Sequence, residues 1–290
     1  LRAARGLLTL LLSATTTAMA LDVNALWDHN KPALSEERFR AALATTTGDD
    51  ALILRTQIAR SWGLRRDFDK ARAELAEVQP HVNAAGPEAQ VHYWLELGRT
   101  YSSATHDPAS QTEDTKNRSR TAYDNALALA IANKLDFLAI DTMHMYAFVD
   151  RTPENEIKWV DRALVVLQAS TQSDAKQWEA SLRNNRGYAL HQLGRNEEAL
   201  AEFKRSLAAR ERQGNVRGIR IAHWMIAMTL RHMGRLYAAM EIQLRLEREW
   251  DADHDPDPYV FEELEKIYRA RGDPARADHY AARLKATQKP

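Results

Sequence analysis

Residues 187–214 read GYALHQLGRNEEALAEFKRSLAARERQG. Gly187, Leu190, Gly194, Ala199, Phe203 and Leu207 fall at the spacing of two antiparallel helices joined by a tight turn at Gly194-Arg195-Asn196. Gly187 and Ala199 withhold bulk where the two helices must approach. Gly194 can take the positive φ that ends a helix, and Phe203 and Leu207 share one face four residues apart. The stretch therefore predicts a helical hairpin.

The same order recurs downstream. Ala227, Leu230, Gly234, Leu236 and Ala239 repeat it in AMTLRHMGRLYAAMEIQLRL, and Tyr268, Gly272, Pro274 and Ala277 in EKIYRARGDPARADHYAARL. Upstream, Ala59, Trp62, Phe68, Ala71 and Leu75 form one more unit, and Trp94, Leu97, Gly98 and Tyr101 begin another. Between them and the opening stretch, DTMHMYAFVDRTPENEIKWVDRALVVL keeps the helical periodicity and Ala163 but no turn glycine. Six units result. HDPASQTEDTKNRS, between the halves of the second, reads as an exposed loop. Ahead of the repeats, residues 21–51 offer one amphipathic helix at Ser35–Leu43, expected to cap the first unit.

Trp94, Leu97, Gly98 and Tyr101 match W-x2-L-G-x2-Y, and with the repetition the chain resembles the tetratricopeptide repeat family over residues 52–290. The resemblance implies an all-α fold, a right-handed α-solenoid of about six stacked antiparallel helix pairs. It further implies that first helices line a concave groove that holds a protein or peptide. Carried over unit by unit, groove positions are Thr56, Arg60, Gly63 and Leu64, then Leu95, Arg99, Ser102 and Ser103, then Asp141, Met145, Phe148 and Val149. They continue as Asn184, Tyr188, His191 and Gln192, then Trp224, Met228, Arg231 and His232, and finally Glu262, Lys266, Arg269 and Ala270. Asn185 matches the asparagine that holds the backbone of an extended peptide in the family, and Arg60, Arg99 and Arg231 are suited to gripping carboxylates. An ordinary solvated helix face would show many of the same residues.

Lys+Arg and Asp+Glu balance at 40 each, so no summed positive field draws the chain to nucleic acid. Residues 1–20, LRAARGLLTLLLSATTTAMA, place Arg2 and Arg5 before a short apolar run and end in Ala18-Met19-Ala20. This pattern predicts a secretory signal peptide cleaved after Ala20 and a periplasmic or secreted product with no permanent membrane anchor. The absence of cysteine excludes disulfides, thiolate metal sites and a cysteine nucleophile.

No phosphate-binding glycine loop, nucleophile elbow or H-E-x-x-H occurs, so no cofactor, metal or catalytic residue is expected. The alternating acids Asp251, Asp253, Asp255 and Asp257 with Glu262 have the spacing of a calcium loop, but Pro256 stands where such a loop needs a glycine-like turn. An adaptor or scaffold working through its groove is the expectation. The alternatives are a small-ligand-binding or catalytic protein using the groove as a pocket, with Tyr188, His191 and His232 as participants, and a scaffold that pairs with its own copies.

Overall fold

The computed structural model describes residues 21–287. The signal-peptide reading at 1–20 lies outside them. A short helix, α1 (Val23–Leu26), precedes α2 (Pro32–Leu43), which packs on α3 (Gly48–Leu64) through Phe39, Leu54 and Ile58. The predicted cap is therefore present. It starts three residues earlier than expected, with Pro32 at the first helical position, where its fixed φ suits a helix and its missing N–H costs nothing. The first repeat begins at Gly48, with Asp49 and Asp50 in its opening turn.

Six antiparallel pairs follow. They are α3 with α4 (Phe68–Val78), α5 (Pro87–Arg99) with α6 (Glu113–Ala132), and α7 (Asp136–Met145) with α8 (Pro153–Ala169). After a single turn, α9 (Ser173–Lys176), come α10 (Glu179–Gln192) with α11 (Asn196–Arg212), α12 (Val216–His232) with α13 (Leu236–Ala252), and α14 (Pro258–Ala270) with α15 (Pro274–Thr287). The described residues form an all-α solenoid. First helices also meet across units, α3 against α5, α5 against α7 and α12 against α14.

The small residues act as their spacing implies. A methyl group at Gly98 would fall inside the ring of Tyr123 on α6, and one at Gly187 would lie 2.7 Å from the ring of Phe203 on α11. Gly194 sits at φ +73°. Bulk is thus excluded from the seam within a pair, and a large ring from the second helix fills the space.

One expectation is corrected. Of the segment at 106–119, only the first half is loop; Glu113–Ser119 is the start of the 20-residue α6. Thr112 and Thr115 cap one another reciprocally and Glu113 and Asp114 face the positive end of the helix, so polar residues taken for a loop are a helix start. Among the described residues, no helix is long and apolar enough to cross a membrane.

Candidate functional site

Two joined cavities open on the layer of first helices. The smaller, of about 210 Å³, is lined by Arg60, Gly63 and Leu64 of the first unit, Arg99 and Ser103 of the second, and Asp141, Met145 and Phe148 of the third. All eight are groove positions expected from the repeat register. In the third unit, which lacks the guiding glycine, Asp141 and Met145 lie on α7 and Phe148 ends the single 3-10 turn after it. The larger cavity, of about 490 Å³, shares Arg60, Asp141 and Trp178 with the first and reaches Leu95, His92 and the N-terminal segment.

A charge cluster lies between the cavities. The Arg99 guanidinium donates to Asp141 Oδ1 at 2.5 Å and also to Glu96, and its Nε lies 3.4 Å from the Met145 sulfur. Arg60 stands further off, at 3.8 Å from Glu96 and 3.9 Å from Asp141, and among the described residues it makes no hydrogen bond. Burial opposes charge on all four groups, but the outcomes differ. Asp141 is held below the usual carboxylate range because Arg99 and Arg60 outweigh its burial. Glu96 is pushed up by burial despite the same two arginines, and its Oε2 has no partner. Arg99 is raised, the two carboxylates overcoming burial, whereas burial and the like charge of Arg99 lower Arg60.

The N-terminal segment adds a wall that the repeat pattern does not announce. Trp27 Nε1 donates to Gln57 Oε1 at 3.0 Å, and the Trp27 ring stacks on His29 at 4.7 Å and lies 5.5 Å from the Arg60 guanidinium. Gln57 Nε2 in turn donates to His92 Nδ1 at 3.1 Å. Burial pushes His92 down to about 4 and lowers His144 and His29 as well, so all three are neutral at pH 7. A tryptophan just ahead of the polar run Asp28–Lys31 is the one sequence signal for this wall.

The remaining expected site residues divide. Asn185 Nδ2 donates to His144 Nδ1 at 3.2 Å, which ties the fourth unit to the third, and Asn184 Oδ1 is buried without a partner. Tyr188 is exposed, with its ring 6.5 Å from that of His191, which meets His232 edge to face at 4.5 Å. His191 Nδ1 is bound to Asn196 and His232 Nδ1 to the Met228 carbonyl. Three placements correct the expected groove. Met228 is buried in the core with Met225 and Ile226, because α14 packs across that face of α12. Trp224 is half-buried against α14, its N–H given to the Tyr259 carbonyl at 3.1 Å. Arg231 grips an internal carboxylate, Glu263, through two bonds of 2.7 and 3.0 Å, as Arg99 grips Glu96 and Asp141. Of the three arginines, only Arg60 makes no hydrogen bond to another described residue.

Three aspartates of the calcium-like stretch are likewise engaged. Asp251 pairs with Arg283 and Asp253 with Arg220, and Asp257 caps α14 through the Tyr259 N–H. Among the described residues, no group of three or more histidines and carboxylates is placed to hold a metal ion.

No protein-family model matches the chain, and comparison with curated proteins finds no match. Solved structures do resemble it. A signal transduction ATPase with numerous domains from Pyrococcus horikoshii, described as having a tetratricopeptide repeat sensor, aligns over 89% of this chain at 12% identity with a TM-score of 0.65. Aspartyl phosphate phosphatase F from Bacillus subtilis aligns over 92% at 11% identity with a TM-score of 0.59. The alignment spans 39% of the first protein and 69% of the second. The shared feature is the fold, a tetratricopeptide-like stack of helix pairs.

Proposed function

We propose that the chain is a protein- or peptide-binding adaptor whose ligand lies along the layer of first helices, without chemistry of its own. The observation that carries this reading is the meeting of eight repeat-register positions from three units in one cavity, beside an aromatic wall. Solenoids bind extended ligands on the face where successive first helices line up. The Pyrococcus horikoshii relative in fold uses such repeats as a sensor, which agrees with recognition rather than catalysis.

Export to the bacterial envelope is part of the proposal and rests on residues 1–20. Amino-terminal sequencing of the protein from producing cells should begin at Leu21; a chain retaining Arg2 and Arg5 contradicts it.

Binding is tested by affinity capture from an envelope extract with three forms of the chain. These are the unaltered protein, an Arg60→Gln/Asn185→Ala/Tyr188→Ala variant and a Val165→Ser control on the exposed face of α8. A protein held by the first and third and lost by the folded second supports the groove. Equal capture by all three contradicts it. Because Tyr188, His191 and His232 lie together, the pocket-chemistry alternative has a separate check: turnover of any substrate found in the extract should be unaffected by His191→Gln.

A further inference from the structure

The larger cavity is negative. Among the described residues on its wall, Arg60 is the one cation, facing the carboxylates of Asp22, Glu88, Asp141 and Asp174. His29 and His92, on the same wall, are lowered by burial and add no charge at pH 7. Asp141 is satisfied by Arg99, but Asp22, Glu88 and Asp174 have no ion-pair partner among the described residues. Partial burial, and then the like charges of Asp50 and Asp174, raise the carboxyl of Glu88 at the chamber's rim.

A second observation is independent of the acids. Glu96 is 1% exposed and lines the adjoining cavity, and its Oε2 has no hydrogen-bond partner, so a polar group is wanting there. Trp178 Nε1, in the wall common to both cavities, is also buried and without a partner, so an acceptor is wanting too. A peptide unit brings both a donor and an acceptor, whereas a bare amine brings donors only. The rings of Phe137 and Trp178 attract cations and flank alkyl stems.

We propose that this chamber receives a lysine or arginine side chain carried on an extended segment of the partner, with the cation near Glu88 and Asp174 and the backbone against Trp178 and Glu96. The inference rests on the reading of this face as a peptide groove and gives that groove its specificity. It also reverses the specificity expected from Arg60, Arg99 and Arg231, two of which are occupied within the protein. At about 490 Å³ the cavity lies within the roughly 300–1,000 Å³ of small-ligand sites, so it holds a side chain with its flanking backbone and excludes a folded domain.

The test is calorimetric titration of the full chain with acetyl-Ala-Leu-Lys-Leu-Ala-amide, with the same peptide carrying glutamate or norleucine at the centre, and with cadaverine as a free diamine. The lysine peptide is expected to bind saturably and at least about tenfold more tightly than the other three probes. Glu88→Gln/Asp174→Asn should weaken it by about tenfold with an unchanged thermal midpoint, since both groups stand at the rim. No saturable binding of the lysine peptide, equal affinity for the glutamate or norleucine peptide, cadaverine binding as tightly, or no effect of the double substitution each overturns the proposal. The broader groove reading fails separately. If Arg60→Gln/Asn185→Ala/Tyr188→Ala abolishes partner capture while Glu88→Gln/Asp174→Asn leaves it intact, the groove stands and the basic ligand falls.

Discussion

Arg99 holds two carboxylates on two helices, α5 and α7, and so ties the second unit to the third. Its partner on its own helix is Glu96; its partner on the next unit, Asp141, is 42 residues away. All three are largely buried, at 11%, 1% and 4% side-chain exposure. Removing the guanidinium from such a cluster strands two buried acids, so Arg99→Leu should destabilise the chain by about 3–5 kcal/mol in urea unfolding. A loss below about 1 kcal/mol would show that water replaces the arginine freely. Gly98 beside it has a different constraint. Gly98→Ala places a methyl group inside the Tyr123 ring and should cost about 1–3 kcal/mol through overpacking, although alanine is the better helix former. These two effects differ in legibility. The glycine announces itself by recurring as Gly187 in an equivalent place, whereas no local pattern links Arg99 to Asp141, because the bond is made only when two repeats stack.

Turns distinguish the elements in the same way. Gly194, Gly234 and Gly272 take positive φ within their pairs, and Arg66 takes that place in the first unit at φ 63°. Between units, Lys134 and His254 both stand at φ 56° where Gly214 stands elsewhere. A side chain in the left-handed region costs about 1–2 kcal/mol. Lys134→Gly should therefore raise the thermal midpoint, by about 2–4 °C if the net gain after the extra freedom of the unfolded chain is about 1 kcal/mol. A lowered midpoint would show that the Lys134 side chain contributes more than its backbone strain removes. Non-glycine turns also explain which elements were hard to read. The third unit has no turn glycine to set its register, and only Ala163 and the periodicity mark it. α1 and its flanking loop, residues 21–31, are too short to show an apolar period; what places them is the packing of Leu21, Val23, Leu26 and Trp27 beside Phe39, Leu54 and Ile58, with Trp27 finding Gln57 in α3. Trp224 and Met228 were misplaced for the converse reason. A repeat register says which way a side chain points but not that the next helix has closed over it.

At the scale of the whole molecule, buried histidines couple stability to pH. His92 is held neutral down to about 4, while in the unfolded chain it takes a proton near 6.5. Between those values the unfolded state binds more protons, so stability falls as pH is lowered through this window, by at most about 3 kcal/mol from this residue. His144 and His29 act in the same direction. Glu96, whose carboxyl is raised by burial, acts oppositely, and Asp141, held low by its arginines, adds a loss only below 3.8. Urea midpoints should decline from pH 6.5 to pH 4, and His92→Gln should flatten the decline; parallel curves for the two proteins would contradict the assignment. The overall architecture needed none of this detail to be recognised, since five recurrences of one helix-pair pattern fix the stack. The chamber was only half legible: its floor follows from the repeat register, while its lid and its sign depend on a segment outside the repeats and on ion pairs between them.

The central claim, that the ligand lies on the layer of first helices under the N-terminal segment, is tested most directly by hydrogen–deuterium exchange of the chain alone and with its captured partner. Added protection is expected over residues 21–31, the cavity-lining ends of α3, α5 and α7, and the region around Trp178, with α4, α6 and α8 unchanged. Protection confined to the second helices, with the walls of the two cavities exchanging as before, would contradict it.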